Sequence, residues 1–310
     1  MNQLLEMETF VRVVEAGSIS GAAERMNVAK SAISRRLGEL ETRLDVQLLN
    51  RTTRRLSLTD AGSAFYERCD RILADVTDAE QCLADTEDAL QGRIRVAAPL
   101  SFGLDHLGPA INDFMQVHPQ LNFEIDFNDR EVDLIEEGFD LGVRIAKLSD
   151  SSLVARRLTP IRHVVCANPE YWDKHGRPEH PNDLKRHLAL RYTNAPQKSW
   201  SYQHPDGIRG SVSLPTRASG NNGAFLSQAA ERGLGVIRVP VFIAYQAIER
   251  GALEPVLTDY RWGDVYAWAL YPKTRRLPHR IRVLIDWLVE RFGDEPYWEK
   301  CLCRSEVSPR

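Results

Sequence analysis

Residues 18–44 read SISGAAERMNVAKSAISRRLGELETRL, and this stretch decides the architecture of the N-terminal region. Ile33, Leu37, Leu40 and Leu44 recur at spacings of four, three and four, so they share one face of a helix. Lys30, Ser31, Ser34 and Arg35 then lie together on the opposite face, near the helix N-terminus. Met26-Asn27-Val28 reads as a tight turn, with Asn27 suited to a left-handed backbone. Upstream, Ser18 or Ser20 can cap a short helix whose Gly21-Ala22-Ala23 permits close approach of another helix. A first helix over residues 4–16 carries the stripe Leu4, Met7, Phe10, Val11 and Val14 and stops at Gly17. Three short helices with a tight second turn describe a helix-turn-helix, whose third helix presents its N-terminal face to the major groove of double-stranded DNA.

Downstream, Val46–Arg51 and Arg54–Thr59 read as two short strands joined by a wing whose tip is Thr52-Thr53-Arg54-Arg55. Residues 28–58 carry seven basic side chains against three acidic, whereas residues 61–90 carry two against eight. A basic window inside a chain of net charge −3 is what a local polyanion-binding surface requires, although a solvated helix face has the same composition. Ser31, Ser34 and Arg35 suit base edges; Lys30, Arg36, Thr53, Arg54 and Arg55 suit phosphates or a narrow minor groove. For Arg36 the competing role is an ion pair with Glu39 or Glu41.

Residues 60–90 hold no proline and read as one long helix, capped by Thr59 and started by Asp60. Cys69, Val76, Leu83 and Leu90 recur every seven residues, beside a second seam of Phe65, Ile72, Ala79 and Thr86. Such a heptad stripe implies pairing with a second copy of the chain, through Phe65, Cys69, Ile72, Val76, Leu83 and Leu90. Packing onto its own domain is the alternative.

From Arg93 the pattern changes to alternating strands and helices. Strands are expected at Arg93–Ala98, Leu121–Phe127, Asp140–Ile145, Val164–Ala167, Gly235–Val239 and Val265–Leu270. Helices are expected through Leu107–Phe114, near Val132–Glu137, after Asn221-Asn222-Gly223, and over Arg280–Phe292. Repeated βαβ units imply a largely parallel sheet.

The stretches Phe10–Ser18, Ala22–Arg25, Ser31–Leu37, Leu40–Leu44 and Leu58–Gly62 resemble the LysR-type transcriptional regulators, and the resemblance extends over essentially the whole chain. It implies an N-terminal all-α winged helix-turn-helix at 1–59, a linker helix for dimerisation at 60–91 and a two-lobed α/β effector domain at 92–300. The effector domain would be similar to periplasmic binding proteins. Lobe I would comprise 92–163 and 268–300 and lobe II 164–267, with crossovers near Arg162–Val165 and Val265–Trp268; residues 301–310 form a tail. The implied protein is cytoplasmic, binds operator or promoter DNA, and answers to a small-molecule inducer. It would be a homodimer assembling into a tetramer, with RNA polymerase as a candidate partner. Ala29 departs from the Ser or Thr often found at the third helix's cap, and Asp45 from a common Gly.

An inducer crevice is expected where parallel strands end and the lobes face each other. Ser101, Asn128, Arg144, Asn221 and Asn222 are its candidate residues, and together they suggest a small carboxylate. For Arg144 the equal alternative is an ion pair with Asp140 or Asp150. The five scattered cysteines suit free thiols in a reducing compartment. No apolar run reaches the ~18 residues of a membrane span, and no signal peptide is visible. Neither a Walker loop nor a Gly-x-Ser-x-Gly elbow nor His-Glu-x-x-His is present, and no metal or cofactor is expected, so an enzyme is disfavoured.

Overall fold

The computed structural model describes residues 2–51, 56–81, 90–147, 152–194, 198–263, 265–273 and 277–305. It divides into two compact units, Met1–Asp88 and Ala89–Arg310. In the first unit α1 (Gln3–Ala16), α2 (Ile19–Arg25) and α3 (Lys30–Leu44) follow one another with short turns. Asn2 caps α1, Ser18 caps α2 by accepting from the Gly21 N–H, and Gly17 ends α1 in the left-handed region. Asn27 (φ 52°) and Asp45 (φ 51°) also adopt that conformation, at the α2–α3 turn and the α3 exit. Ile33, Leu37 and Leu40 are buried beneath α3, against Phe10, Val11 and Val13 of α1. Leu4 departs from the expected stripe and is exposed. Ala29 makes no side-chain cap, and neither does Ser31; the Ala29 carbonyl accepts from the Ala32 N–H in a tight first turn.

The wing strands are short: β1 (Leu49–Arg51) pairs antiparallel with β2 (Leu56–Leu58). The wing tip, with Thr53, Arg54 and Arg55, lies outside the described residues. Glu41 fixes the wing to α3, its Oε1 accepting from the Leu48 and Leu49 N–H groups at 2.9 and 3.1 Å. Thr59 fixes it to α4 (Asp60–Gln81): its Oγ1 donates to the Gln47 carbonyl and accepts from the Gly62 N–H. A Cβ at Gly62 would stand 2.0 Å from the Leu48 carbonyl oxygen, so only glycine fits.

On α4 the residues expected to form a dimer seam do not all face outward. Cys69 is fully buried inside its own unit, and the Phe65 ring packs 5.6 Å from that of Phe10. A seven-residue spacing faces one partner surface, and for the first two turns that surface is α1. Leu90 belongs to the second unit, packed against its main core. Ile72 is exposed and Val76 half-buried; Leu83 lies outside the described residues, as do residues 82–89, so the helix is followed only to Gln81.

The second unit contains two mixed five-stranded sheets rather than largely parallel ones. The first, in the order β4-β3-β5-β14-β6, comprises β3 (Gln91–Ala98), β4 (Gln120–Phe127), β5 (Leu141–Ala146), β6 (Leu153–Ile161) and β14 (Val265–Pro272). Here β3 pairs parallel with β4 and β5, whereas β14 enters antiparallel between β5 and β6. The second, in the order β11-β8-β12-β7-β13, comprises β7 (His163–Ala167), β8 (Ala189–Tyr192), β11 (Thr216–Gly220), β12 (Val236–Pro240) and β13 (Glu254–Val256). A separate hairpin pairs β9 (Trp200–Gln203) with β10 (Arg209–Val212). The segment α5 (Leu100–Phe102), a π turn (Gly103–Leu107) and α6 (Gly108–Val117) follow β3 as one continuous helix. The second lobe adds α7 (Pro169–His175), α8 (Gly223–Glu231) and α9 (Val241–Glu249); α10 (His279–Phe292) and α11 (Lys300–Ser305) close the chain.

Two further expectations change. Residues 134–138 form a turn rather than a helix, because Asp133 Oδ1 accepts from the Ile135 and Glu136 N–H groups and Gly138 turns left-handed at once. The first crossover falls at Arg162, between β6 and β7. The second precedes the expected Val265–Trp268, since those residues already lie in the first sheet. One core runs through both lobes, and His106 is buried within it. Its Nε2–H donates to the Phe242 carbonyl on α9 at 3.1 Å and its Nδ1 accepts from the Tyr297 hydroxyl at 2.6 Å, an assignment forced by a carbonyl that can only accept. Burial pushes its pKa down, so the ring stays neutral.

Candidate functional site

Because Ile33, Leu37 and Leu40 are committed to the core, α3 turns Lys30, Ser31 and Arg35 fully outward, with Ser34 and Arg36 half-buried beside them. Arg35 lies 3.8 Å from Glu39, a loose exposed pair of little energetic weight. Arg36 forms no ion pair among the described residues: Glu39 faces Arg35, and the Glu41 carboxylate is taken by the wing. Lys30, Ser31, Ser34 and Arg35 therefore share the outer side of α3, and Arg36, two residues on from Ser34, flanks it. A groove lined by Ser20, Glu24, Asn27 and Lys30 adjoins it, and of these only Lys30 is among the DNA contacts expected from the sequence.

In the second unit the structure brings together Ser101 and Asn222. Asn222 caps α8, its Oδ1 accepting from the Phe225 N–H at 2.9 Å, which turns its Nδ2 toward the Ser101 Oγ at 3.4 Å. This contact joins a helix start of the first lobe to one of the second. Asn221 is exposed beside it. Asn128 is bound locally, its Nδ2 donating to Asp126 and its Oδ1 accepting from the Arg130 N–H. Arg144 donates to Glu131 at 2.9 Å and to the Val132 carbonyl, not to Asp140. Asp140 instead accepts from the Arg95 N–H; Asp150 lies outside the described residues.

Two residues that the sequence reading missed stand near Ser101. Asp129 Oδ1 accepts from the Leu100 N–H at 3.0 Å, placing a carboxylate where the candidate residues suggest a bound anion. Burial, and then the Asp129 charge, push the Tyr192 hydroxyl up from its ordinary pKa. Asp129 directly follows Asn128 at the end of β4, so its position after the strand was the available signal. Tyr192 ends β8, a four-residue strand too short to show a period.

Residues 4–63 match the bacterial regulatory helix-turn-helix protein model of the lysR family, and residues 87–293 match the LysR substrate binding domain. The chain belongs to the LysR family. Among curated relatives of LysR-type regulators, an uncharacterized HTH-type transcriptional regulator of Haemophilus influenzae is 34% identical over 91% of this chain and 98% of its own. The HTH-type transcriptional activator AaeR of Escherichia coli is 32% identical, covering 94% of each. Among solved structures, CrgA of Neisseria meningitidis aligns with a TM-score of 0.60 at 32% identity, over 93% of this chain and 98% of that one. The full-length Vibrio cholerae virulence activator AphB gives 0.57 at 28%, with the same coverage. As a LysR-type protein the chain is a DNA-binding transcription regulator with an effector-binding domain, not an enzyme.

Proposed function

We propose that Ser31, Ser34 and Arg35 of α3 read base edges in the major groove of a cytoplasmic operator, while Lys30, Arg36, Thr53, Arg54 and Arg55 hold phosphates or the minor groove. The observation that carries this reading is the two-sidedness of α3, with its apolar stripe almost fully buried and its polar face open. Replacing Arg35 with Ala should weaken operator binding by about 1–3 kcal/mol and relax sequence preference at one position. Equal losses on operator and random duplex, in titrations at one fixed salt concentration, would move Arg35 to the phosphate backbone.

The same reading makes the regulator an oligomer whose α4 contact begins beyond the self-packed turns, at Ile72 and Val76. Ile72→Asp should raise the monomer fraction in sedimentation, because a carboxylate in an apolar seam goes unpaired. An unaltered oligomeric state places the contact elsewhere.

The inducer occupies the space at Ser101 and Asn222, between the lobes. Arg144 is held by Glu131, and Asp129 presents a negative charge beside Ser101, so an organic acid loses the anchor expected for it. The reading supported best is a small polar molecule that donates to Asp129 and accepts from the Ser101 hydroxyl. A thermal-shift screen of the full chain with organic acids, polyols and amines tests it. The ligand found should lose about tenfold in affinity with Asn222→Ala, the scale of one buried hydrogen bond. A carboxylate whose binding vanishes with Arg144→Ala would restore the acid reading.

A further inference from the structure

The two crossovers between the lobes border an open cavity of about 290 Å³, remote in sequence from Ser101 and Asn222. The first crossover contributes Ile161 and Arg162, the second Asp259, Arg261 and Trp262, and the segment before α11 contributes Glu299. Four of these side chains are charged, two of each sign. No two of them form an ion pair among the described residues, although the Arg162 backbone N–H and charge both act on the Glu299 carboxylate. Arg162 donates from Nη2 to the Thr258 carbonyl at 2.9 Å, which leaves other guanidinium donors unspent. Glu299 is half-buried, and burial pushes its carboxyl pKa up more than Arg162 pulls it down.

Charges of opposite sign that share a cavity without pairing leave both signs of ligand charge unanswered. A simple anion would satisfy the guanidinium groups and face the carboxylates; a simple cation would do the reverse. A molecule carrying both charges answers both at once, and Val265 with the Tyr266 ring, both half-buried, offers an apolar wall for the rest of it. We propose that this hinge cavity binds a small zwitterion of the amino-acid class, its carboxylate toward Arg162 and Arg261 and its ammonium toward Glu299 and Asp259. The site is separate from the interlobe seam and does not depend on what binds there.

Glycine, L-leucine and L-phenylalanine, titrated into the full chain by saturation-transfer NMR, test the proposal alongside isovalerate and isoamylamine. Isovalerate carries only the carboxylate and isoamylamine only the ammonium. At least one amino acid should bind saturably at millimolar concentration, with both single-charge analogues about tenfold weaker, the scale of one lost charge-assisted contact. Arg261→Ala and Asp259→Ala replace exposed side chains, so both variants should fold, and each should weaken the amino acid similarly. Asn222→Ala should leave it unchanged. Binding by none of the three amino acids, equal binding by either analogue, indifference to both hinge variants, or loss with Asn222→Ala would each overturn the assignment.

Discussion

Replacing Gly62 with Ala should unfold the N-terminal unit or cost it roughly 3 kcal/mol or more, above the usual range for one added methyl group. The added carbon meets a backbone oxygen, not the end of a flexible side chain, at 2.0 Å. That oxygen, on Leu48, also accepts from the Thr59 N–H at 3.0 Å, so relieving the clash pulls apart the joint between wing and α4. Operator binding should be lost, while the second unit retains its own unfolding transition. Differential scanning calorimetry on the intact chain separates the two. A variant with wild-type melting and wild-type DNA affinity would show that the α4 entry has slack that its geometry denies.

The second large effect is expected at a buried ion pair. Arg43 donates from Nε and Nη2 to the Glu6 Oε2 at 3.0 and 2.8 Å, tying α3 to α1. The Glu6 side chain is only 4% exposed, and its Oε1 has no hydrogen-bond partner among the described residues. Removing Arg43 as Arg43→Ala strands a desolvated carboxylate and should cost about 3–5 kcal/mol, far beyond a surface pair. The double variant Glu6→Leu with Arg43→Met should recover most of that stability, since an apolar pair of similar volume avoids the desolvation of both charges. Denaturant melts of single and double variants decide it. A loss under about 1 kcal/mol in Arg43→Ala would mean that water reaches Glu6.

What the sequence disclosed about this fold was local. The four-three-four spacing in α3 required its own buried face, and Asn27 and Asp45 are residue types that tolerate the left-handed backbone they adopt. What it withheld depends on partners distant in the chain. Heptad spacing looks the same whether Phe65 and Cys69 pack on a second chain or on Phe10, because periodicity fixes a face and not its occupant. The antiparallel entry of β14 is equally silent: Trp268 pairs in register with Arg144, and no local signal encodes strand direction across such a separation. In the candidate site, Ser101 and Asn222 were legible as residues at helix starts. The role of Arg144 was not, since its partner Glu131 lies in a segment whose helical pattern was broken by an Asp turn.

The placement of β14 also imposes an order of birth. The strand that fills the gap between β5 and β6 in the first sheet is made after every strand of the second. During synthesis, β3, β4 and β5 leave the ribosome with the antiparallel edge of β5 bare, and β6 without the neighbour it will have in the finished sheet. The second lobe, wholly nested between β6 and β14, can close before the first. Until residue 272 emerges, the nascent first lobe carries a naked strand edge, the feature most prone to mispairing with a neighbouring chain.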